Sequence, residues 1–205
     1  MAEGSFHFYL RLATDRDFSA VMRLRIHAEQ WLAAAGIEQW TDRVVGEQII
    51  RRHLARGVTF VVESSDSEVI ASFALDDGDP AFWTPEELGE PAAYLYKFMI
   101  DSRYRGTGLG DVLLDWACRR AAADGAAVLR LDCWKTNLGL QKYYLRHGFT
   151  YLGVRDVRGN PSGALFERPA ERQRSAVTTI HLVDQTGRDS EIALAGTRPA
   201  RSGID

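Results

Sequence analysis

Residues 94–110 read YLYKFMIDSRYRGTGLG. An apolar and aromatic run ends at Asp101 and gives way, through Arg103 and Arg105, to glycines at alternate positions, Gly106, Gly108 and Gly110, after which an amphipathic helical pattern begins. That order predicts a strand, a tight turn and a helix N-terminus. Unpaired backbone N–H groups and the positive end of the helix dipole would face whatever lies beyond the strand, which suits a phosphate. Three kinds of glycine loop compete with a merely structural turn, and spacing separates them. A Walker loop needs Gly-Lys-Ser/Thr, and no lysine follows Gly110. A dinucleotide fingerprint needs its third glycine one residue later and sits after the first strand of a parallel sheet, whereas this turn is mid-chain. The third pattern, Arg/Gln-x-x-Gly-x-Gly/Ala, is met in full by Arg105-Gly106-Thr107-Gly108-Leu109-Gly110.

A second stretch, residues 137–149, reads NLGLQKYYLRHGF. It sets Asn137 before a helix, a tyrosine (Tyr144) seven residues on, and Gly148-Phe149 entering the next strand. With both motifs in this order, the chain resembles the GNAT N-acetyltransferases from about residue 6 to about residue 167. Leu140 stands where an alanine is commoner in that family, a change of packing and not of chemistry.

The resemblance implies an α/β (α+β) fold. Its mixed, mainly antiparallel sheet is flanked by helices on both faces, and two parallel strands splay apart at the cofactor site. It implies acetyl-CoA as co-substrate, no metal, and an acyltransferase that moves an acetyl group to a primary amine by direct transfer in a ternary complex. Backbone groups of Phe98, Met99 and Ile100 would pair with the pantetheine arm as if it were an extra strand. Those of Arg105, Gly106, Thr107, Gly108, Leu109 and Gly110 would cradle the pyrophosphate. Tyr144 would protonate the departing CoA sulfur, a role that a phenol still protonated at pH 7 suits. Asn137 would bond the pantetheine arm or a water, the bland alternative being a helix cap. The base is not fixed by a motif. Glu38, Asp101 and Asp132 are the candidates, each weighed against a solvated or ion-paired carboxylate, with Glu38 foremost. Glu38, Trp40, Trp83 and Asp132 are the expected acceptor-binding residues. The acceptor is expected to be a small molecule; a protein N-terminus or lysine, or a non-catalytic acyl-CoA-binding module, are the alternatives.

The rest of the chain agrees with one globular domain and an extension. Of 205 residues, 26% are charged and 45% hydrophobic, enough to bury a real core. A net charge of −3 argues against nucleic acid as a partner, since neutralising phosphates needs a basic surface. No apolar run reaches the length of a membrane span, and the first residues lack a leader pattern, so a cytoplasmic protein with no membrane partner is expected. Cys118 and Cys133 form no redox or metal spacing, and the five histidines are scattered.

Apolar periodicity predicts a strand at 6–12, helices at 15–35 and 43–56, and a hairpin of strands at 58–63 and 68–75. Further on it predicts a helix at 109–124, a strand at 127–134, a helix at 137–147 and strands at 149–155 and 163–167. The long connection 76–91 is acidic and carries Phe82 and Trp83; it reads as functional or mobile. Residues 1–169 form the expected catalytic domain. Residues 170–205 are an extension whose runs VTTIHLV and EIALA suggest a hairpin arm, one arrangement being a homodimer contact, before a disordered tail at 196–205.

Overall fold

The computed structural model describes residues 6–37, 39–40, 42–171, 177 and 179–187. In chain order the elements are β1 (Phe6–Leu12), α1 (Phe18–Ala34), α2 (Arg43–Ala55), β2 (Thr59–Glu63), β3 (Val69–Asp76), α3 (Pro85–Leu88) and β4 (Ala92–Ile100). There follow α4 (Leu109–Ala123), β5 (Val128–Trp134), α5 (Leu138–Arg146), β6 (Thr150–Val154), β7 (Ser162–Pro169) and β8 (Ile180–Asp184). The strands form one eight-stranded sheet in the order β6-β7-β5-β4-β3-β2-β1-β8. Neighbours are antiparallel except β4 with β5 and β1 with β8, the fold class expected. Parallel β4 and β5 need a crossover, and α4 supplies it.

Helices cover both faces. On one, α4 lays Leu113, Trp116, Ala117 and Cys118 against the sheet, with the Trp116 ring 5.0 Å from Phe60 and 5.7 Å from Phe73. Burying each such side chain contributes roughly 1.5–3 kcal/mol. On the other face Val21 and Leu24 of α1 and Ile50 and Leu54 of α2 close over Val61, Val69 and Met99. Helix starts follow their capping residues: Asp42 Oδ1 accepts from Val45 N at 2.9 Å, and Asn137 Oδ1 accepts from Leu140 N at 3.0 Å.

Two of the segments left open by the sequence take definite places. The 76–91 connection is built, not loose: Thr84 and Glu87 close a capping box on α3. Arg155 then pairs with Glu87 at 2.6 Å, and Arg130 donates to the Glu87 carbonyl at 2.7 Å and to Glu90. The run at 180–184 adds to the sheet as β8, parallel to β1, with Phe6 opposite Ile180 and Leu10 opposite Asp184. Asp184 accepts from the indole Nε1 of Trp116 at 2.7 Å, which ties this strand to α4. The EIALA run and the 196–205 tail lie outside the described residues. No helix among the described residues is long and apolar enough to cross a membrane.

Candidate active site

The site begins where two strands part. β4 and β5 pair only at Ala92↔Val128, Ala93↔Leu129 and Tyr94↔Arg130. Beyond Tyr94 the β4 edge has no strand partner on this side, while β5 continues with β7 to Trp134. On its other side β4 carries a bulge: the register passes from Ala74↔Tyr96 to Ser72↔Met99, so Lys97 and Phe98 together oppose Phe73. Lys97 stands at φ 49°, in the left-handed region that costs a side-chain-bearing residue on the order of 1 kcal/mol or more. The bulge bends β4 away from β5, and the gap exposes backbone groups of the strand to a ligand that can pair with them.

At the end of β4 the carboxylate of Asp101 caps a single 3-10 turn, accepting from Arg103 N at 3.0 Å. The chain then enters the glycine turn. Gly108, at φ 91°, is the residue from which α4 starts, and a Cβ there would lie 2.7 Å from Val177 Cγ2. Thr107 Oγ1 donates to the Tyr104 carbonyl at 2.7 Å. The N–H groups of Gly106, Thr107, Gly108 and Gly110 find no acceptor among the described residues, and they stand at the N-terminus of α4. Open N–H groups on a positive helix end, together with an unpaired strand edge, fit the pyrophosphate and the amide-bearing arm of acetyl-CoA.

One cavity of about 190 Å³ joins these features to the far side of the sheet. Its wall includes Leu32, Gln39, Trp40, Lys97, Phe98, Arg105, Asp132, Cys133, Asn137, Tyr144 and Ser162. Tyr144 is buried, its ring 5.4 Å from Phe149 and 5.8 Å from Phe166, and its hydroxyl has no partner among the described residues. Burial pushes its phenol well above the ordinary value, so the group is a proton donor. Asp132 accepts from the Ser162 hydroxyl; burial raises its carboxyl, against the lowering effects of Ser162 and then Lys97. Arg105 stacks its guanidinium 3.6 Å from the centroid of the Trp31 ring.

The loop above the cavity is held from beneath. Arg25, only 2% exposed, donates from Nη2 to the carbonyls of Trp40 and Asp42, each at 2.7 Å. It fits because α2 carries Gly46 where the guanidinium passes: a Cβ on Gly46 would overlap Arg25 Nε, Cζ and Nη2. Alanine normally stabilises a helix interior by about 1 kcal/mol over glycine. Here Gly46→Ala is expected to do the reverse, lowering stability by about 1–3 kcal/mol through overpacking and raising the acceptor KM as Trp40 loses its support. Thermal melts and acceptor titrations check both; a more stable variant with unchanged KM refutes it.

Several expected residues take different places. Trp83 is in the core, not the cavity wall: its ring meets Tyr94 at 5.7 Å, and Arg130 lies 4.6 Å from its centroid. Buried Arg130 needs that covering, which is why an aromatic from the acidic connection turns inward. Met99 sends its side chain under α1 and α2, so only its backbone can serve a ligand. Asn137 has both ends of its amide engaged, Oδ1 with Leu140 N and Nδ2 with Gln39 Oε1 at 2.9 Å. It is a cap and a strut between α5 and the loop, and each end of its amide keeps one further hydrogen-bonding position toward the cavity it lines. Asp101 is paired with Arg103 at 2.8 Å, and that arginine also reaches Glu68 at 2.6 Å, so neither is poised for chemistry. Glu38 lies outside the described residues. Lys97, Gln39 and Ser162 were not foreseen. For Lys97 a signal existed: it is the one charge inside the apolar run YLYKFMI.

The sequence model of the acetyltransferase (GNAT) family matches residues 24–149. The uncharacterized N-acetyltransferase YesJ of Bacillus subtilis (strain 168) is 28% identical over 153 residues, 72% of this chain and 84% of that protein. Among solved structures, a GNAT-family acetyltransferase from Streptococcus agalactiae 2603 superposes with a TM-score of 0.63 at 19% identity, covering 80% of this chain and 96% of that one. The PaiA N-acetyltransferase of Thermoplasma acidophilum, solved in complex with coenzyme A, superposes with a TM-score of 0.59 at 17% identity over 79% and 98%. With the paired motifs, the splayed strands and the open glycine turn on one sheet, the chain belongs to the acetyltransferase (GNAT) family, enzymes that take acetyl-CoA as acyl donor.

Proposed function

We propose that this enzyme transfers the acetyl group of acetyl-CoA to a primary amine of a small molecule, with both substrates bound together. The observation that carries this reading is the single cavity into which Tyr144, Asp132 and the unpaired edge of β4 all face. The backbone of Phe98 and Ile100 and the N–H groups of the glycine turn would hold the donor, and that the structurally similar PaiA enzyme was solved with coenzyme A supports a CoA donor on this fold. The acceptor amine, as its neutral form, attacks the thioester carbonyl carbon; the C–S bond breaks, and the thiolate takes a proton from the Tyr144 hydroxyl. The proton lost by the ammonium goes to a carboxylate, directly or through water. Glu38 being undescribed, Asp132 is the carboxylate this reading assigns, and its burial favours proton uptake.

Direct transfer is preferred to an acyl-cysteine because Cys133, on the cavity wall, is pushed up to about 12 by burial and so is a thiol, not a nucleophilic thiolate. A small acceptor is preferred because the cavity is narrow and covered by Trp40 and Leu32 of the α1 side. The test is thiol release from acetyl-CoA across a panel of small amines, N-terminal peptides and lysine peptides. Turnover confined to small amines is the expected result. Turnover on peptides alone would replace the acceptor class, and CoA binding without turnover on any acceptor would make the protein a binding module.

A further inference from the structure

Lys97 places its ammonium on the cavity wall with no carboxylate in ion-pair contact among the described residues; Asp132 and Asp79 act on it only from a distance. Its ammonium has neither a hydrogen-bond acceptor nor an ion-pair partner among the described residues; its one close contact is the Trp40 ring, with Nζ 5.8 Å from the centroid. Behind it, on the side away from the cavity, lies a small void lined by Val21, Ile50, His53, Thr59 and Met99. His53 Nε2 and Thr59 Oγ1 are sealed there without hydrogen-bond partners; His53 Nε2 lies 3.7 Å from the Asp76 carboxylate, and neither group bonds the Lys97 ammonium. An isolated buried ammonium is costly, and a bulge with a left-handed residue is maintained to place it.

The other cationic group on the wall, Arg105, belongs to the glycine turn that suits the donor's phosphates. Lys97 instead lies inside β4, on the far side of Ile100 and Asp101 from that turn, and beside Trp40 at the opposite part of the cavity. Facing it across the strand gap is Asp132 of β5, near enough for each to influence the other's charge, yet not paired with it. The wall therefore presents a carboxyl, Asp132, and an amine, Lys97, that face one cavity without pairing with each other. Burial lowers the affinity of Lys97 for its proton, which an anion in the cavity would restore.

We propose that the acceptor is a zwitterion, a primary amine that also carries a carboxylate, with the carboxylate seated on Lys97 and the amine held toward Asp132. This rests on the reading of the cavity as an amine-acceptor site. A charge-assisted hydrogen bond in a desolvated site is the physical source of the selectivity, and its loss leaves either the ligand's anion or the lysine uncompensated. Lys97 thus sets specificity and takes no part in breaking the thioester.

The test compares amino acids with the amines left when their carboxylate is removed, in the wild type and in Lys97→Met. Methionine keeps the length of the side chain and removes the buried charge. The wild type is expected to favour the carboxylate-bearing member by about 10–100-fold in kcat/KM. In Lys97→Met that preference should fall to about one, through KM rather than kcat. A wild type without preference, or a variant that keeps it, overturns the proposal. So does an equal loss of kcat on both members, which would make Lys97 a general base. Thermal shift with the same ligands reads binding without turnover. Stabilisation by amino acids but not by their decarboxylated amines, lost in Lys97→Met, would support the zwitterion site even if no acceptor is acetylated, and the proposed reaction alone would then fail. The unliganded variant should melt no lower than the wild type; a clearly lower melting temperature would assign Lys97 to the fold and overturn the proposal.

Discussion

Tyr144→Phe is expected to lower kcat by about 10²–10⁴-fold, the range for loss of a positioned general acid. Acetyl-CoA affinity should be little changed. The ring would stay where it is, between Tyr143, Phe149 and Phe166, because those contacts use its carbon face. The hydroxyl has no hydrogen-bond partner to lose among the described residues, so the fold should be indifferent to its removal. What disappears is a proton donor beside the place where a thiolate must leave. Burial holds that phenol well above its ordinary value. Deprotonation of Tyr144 is therefore excluded from the neutral range, and the wild-type rate should show no alkaline fall attributable to it below about pH 10. Steady-state thiol release, a CoA titration and a thermal melt separate the three quantities. An unchanged kcat would remove Tyr144 from the chemistry; a large loss of CoA affinity would reassign it to binding.

The donor half of the site was legible because local chemistry dictates it. Only glycine accommodates the φ of 91° at position 108, and a helix N-terminus directly after a strand advertises its open N–H groups. The tyrosine helix was equally readable, its cap and its Gly-Phe exit being fixed by spacing. The acceptor half was not. Alternation along YLYKFMI predicts a regular strand, and nothing in the pattern announces that Lys97 has φ 49° and doubles up with Phe98 against Phe73. That bulge is what sets Lys97 on the cavity wall. Trp83 misled for a related reason. An aromatic in an acidic loop looks available to a ligand, but its partner is Arg130, 47 residues on in sequence, and only the folded sheet brings them together. The run at 180–184 alternates as well for a hairpin as for an edge strand; periodicity names a strand and leaves its neighbour open.

The largest stability effect is expected at a pair that touches no substrate. Asp115 of α4 and Arg168 of β7 form an ion pair with side chains 5% and 1% exposed. Two charges brought so deep gain little net stability over apolar residues of similar size, yet removing one of them takes a buried ion-pair partner from the other. Asp115→Ala is therefore expected to cost about 3–5 kcal/mol, measured by urea unfolding followed by circular dichroism. Arg168→Met alone should cost a comparable amount. The double change Asp115→Leu with Arg168→Met should recover most of the loss, because both charges of the buried pair are then removed together. A double variant as unstable as the sum of the single ones would mean that the pair acts through shape or through other contacts instead. The consequence reaches the active site by geometry. α4 is fastened to β7 by this pair and to β8 by the Trp116–Asp184 hydrogen bond at 2.7 Å, and its first residue, Leu109, follows directly on Gly108 of the glycine turn. Loosening one fastening while the fold survives should let the helix start shift relative to the strand gap. Asp115→Ala, assayed where it is still folded, should then bind CoA more weakly while the ratio of rates among acceptors stays the same. A loss confined to the acceptor side would show that the two halves of the site are coupled by another route.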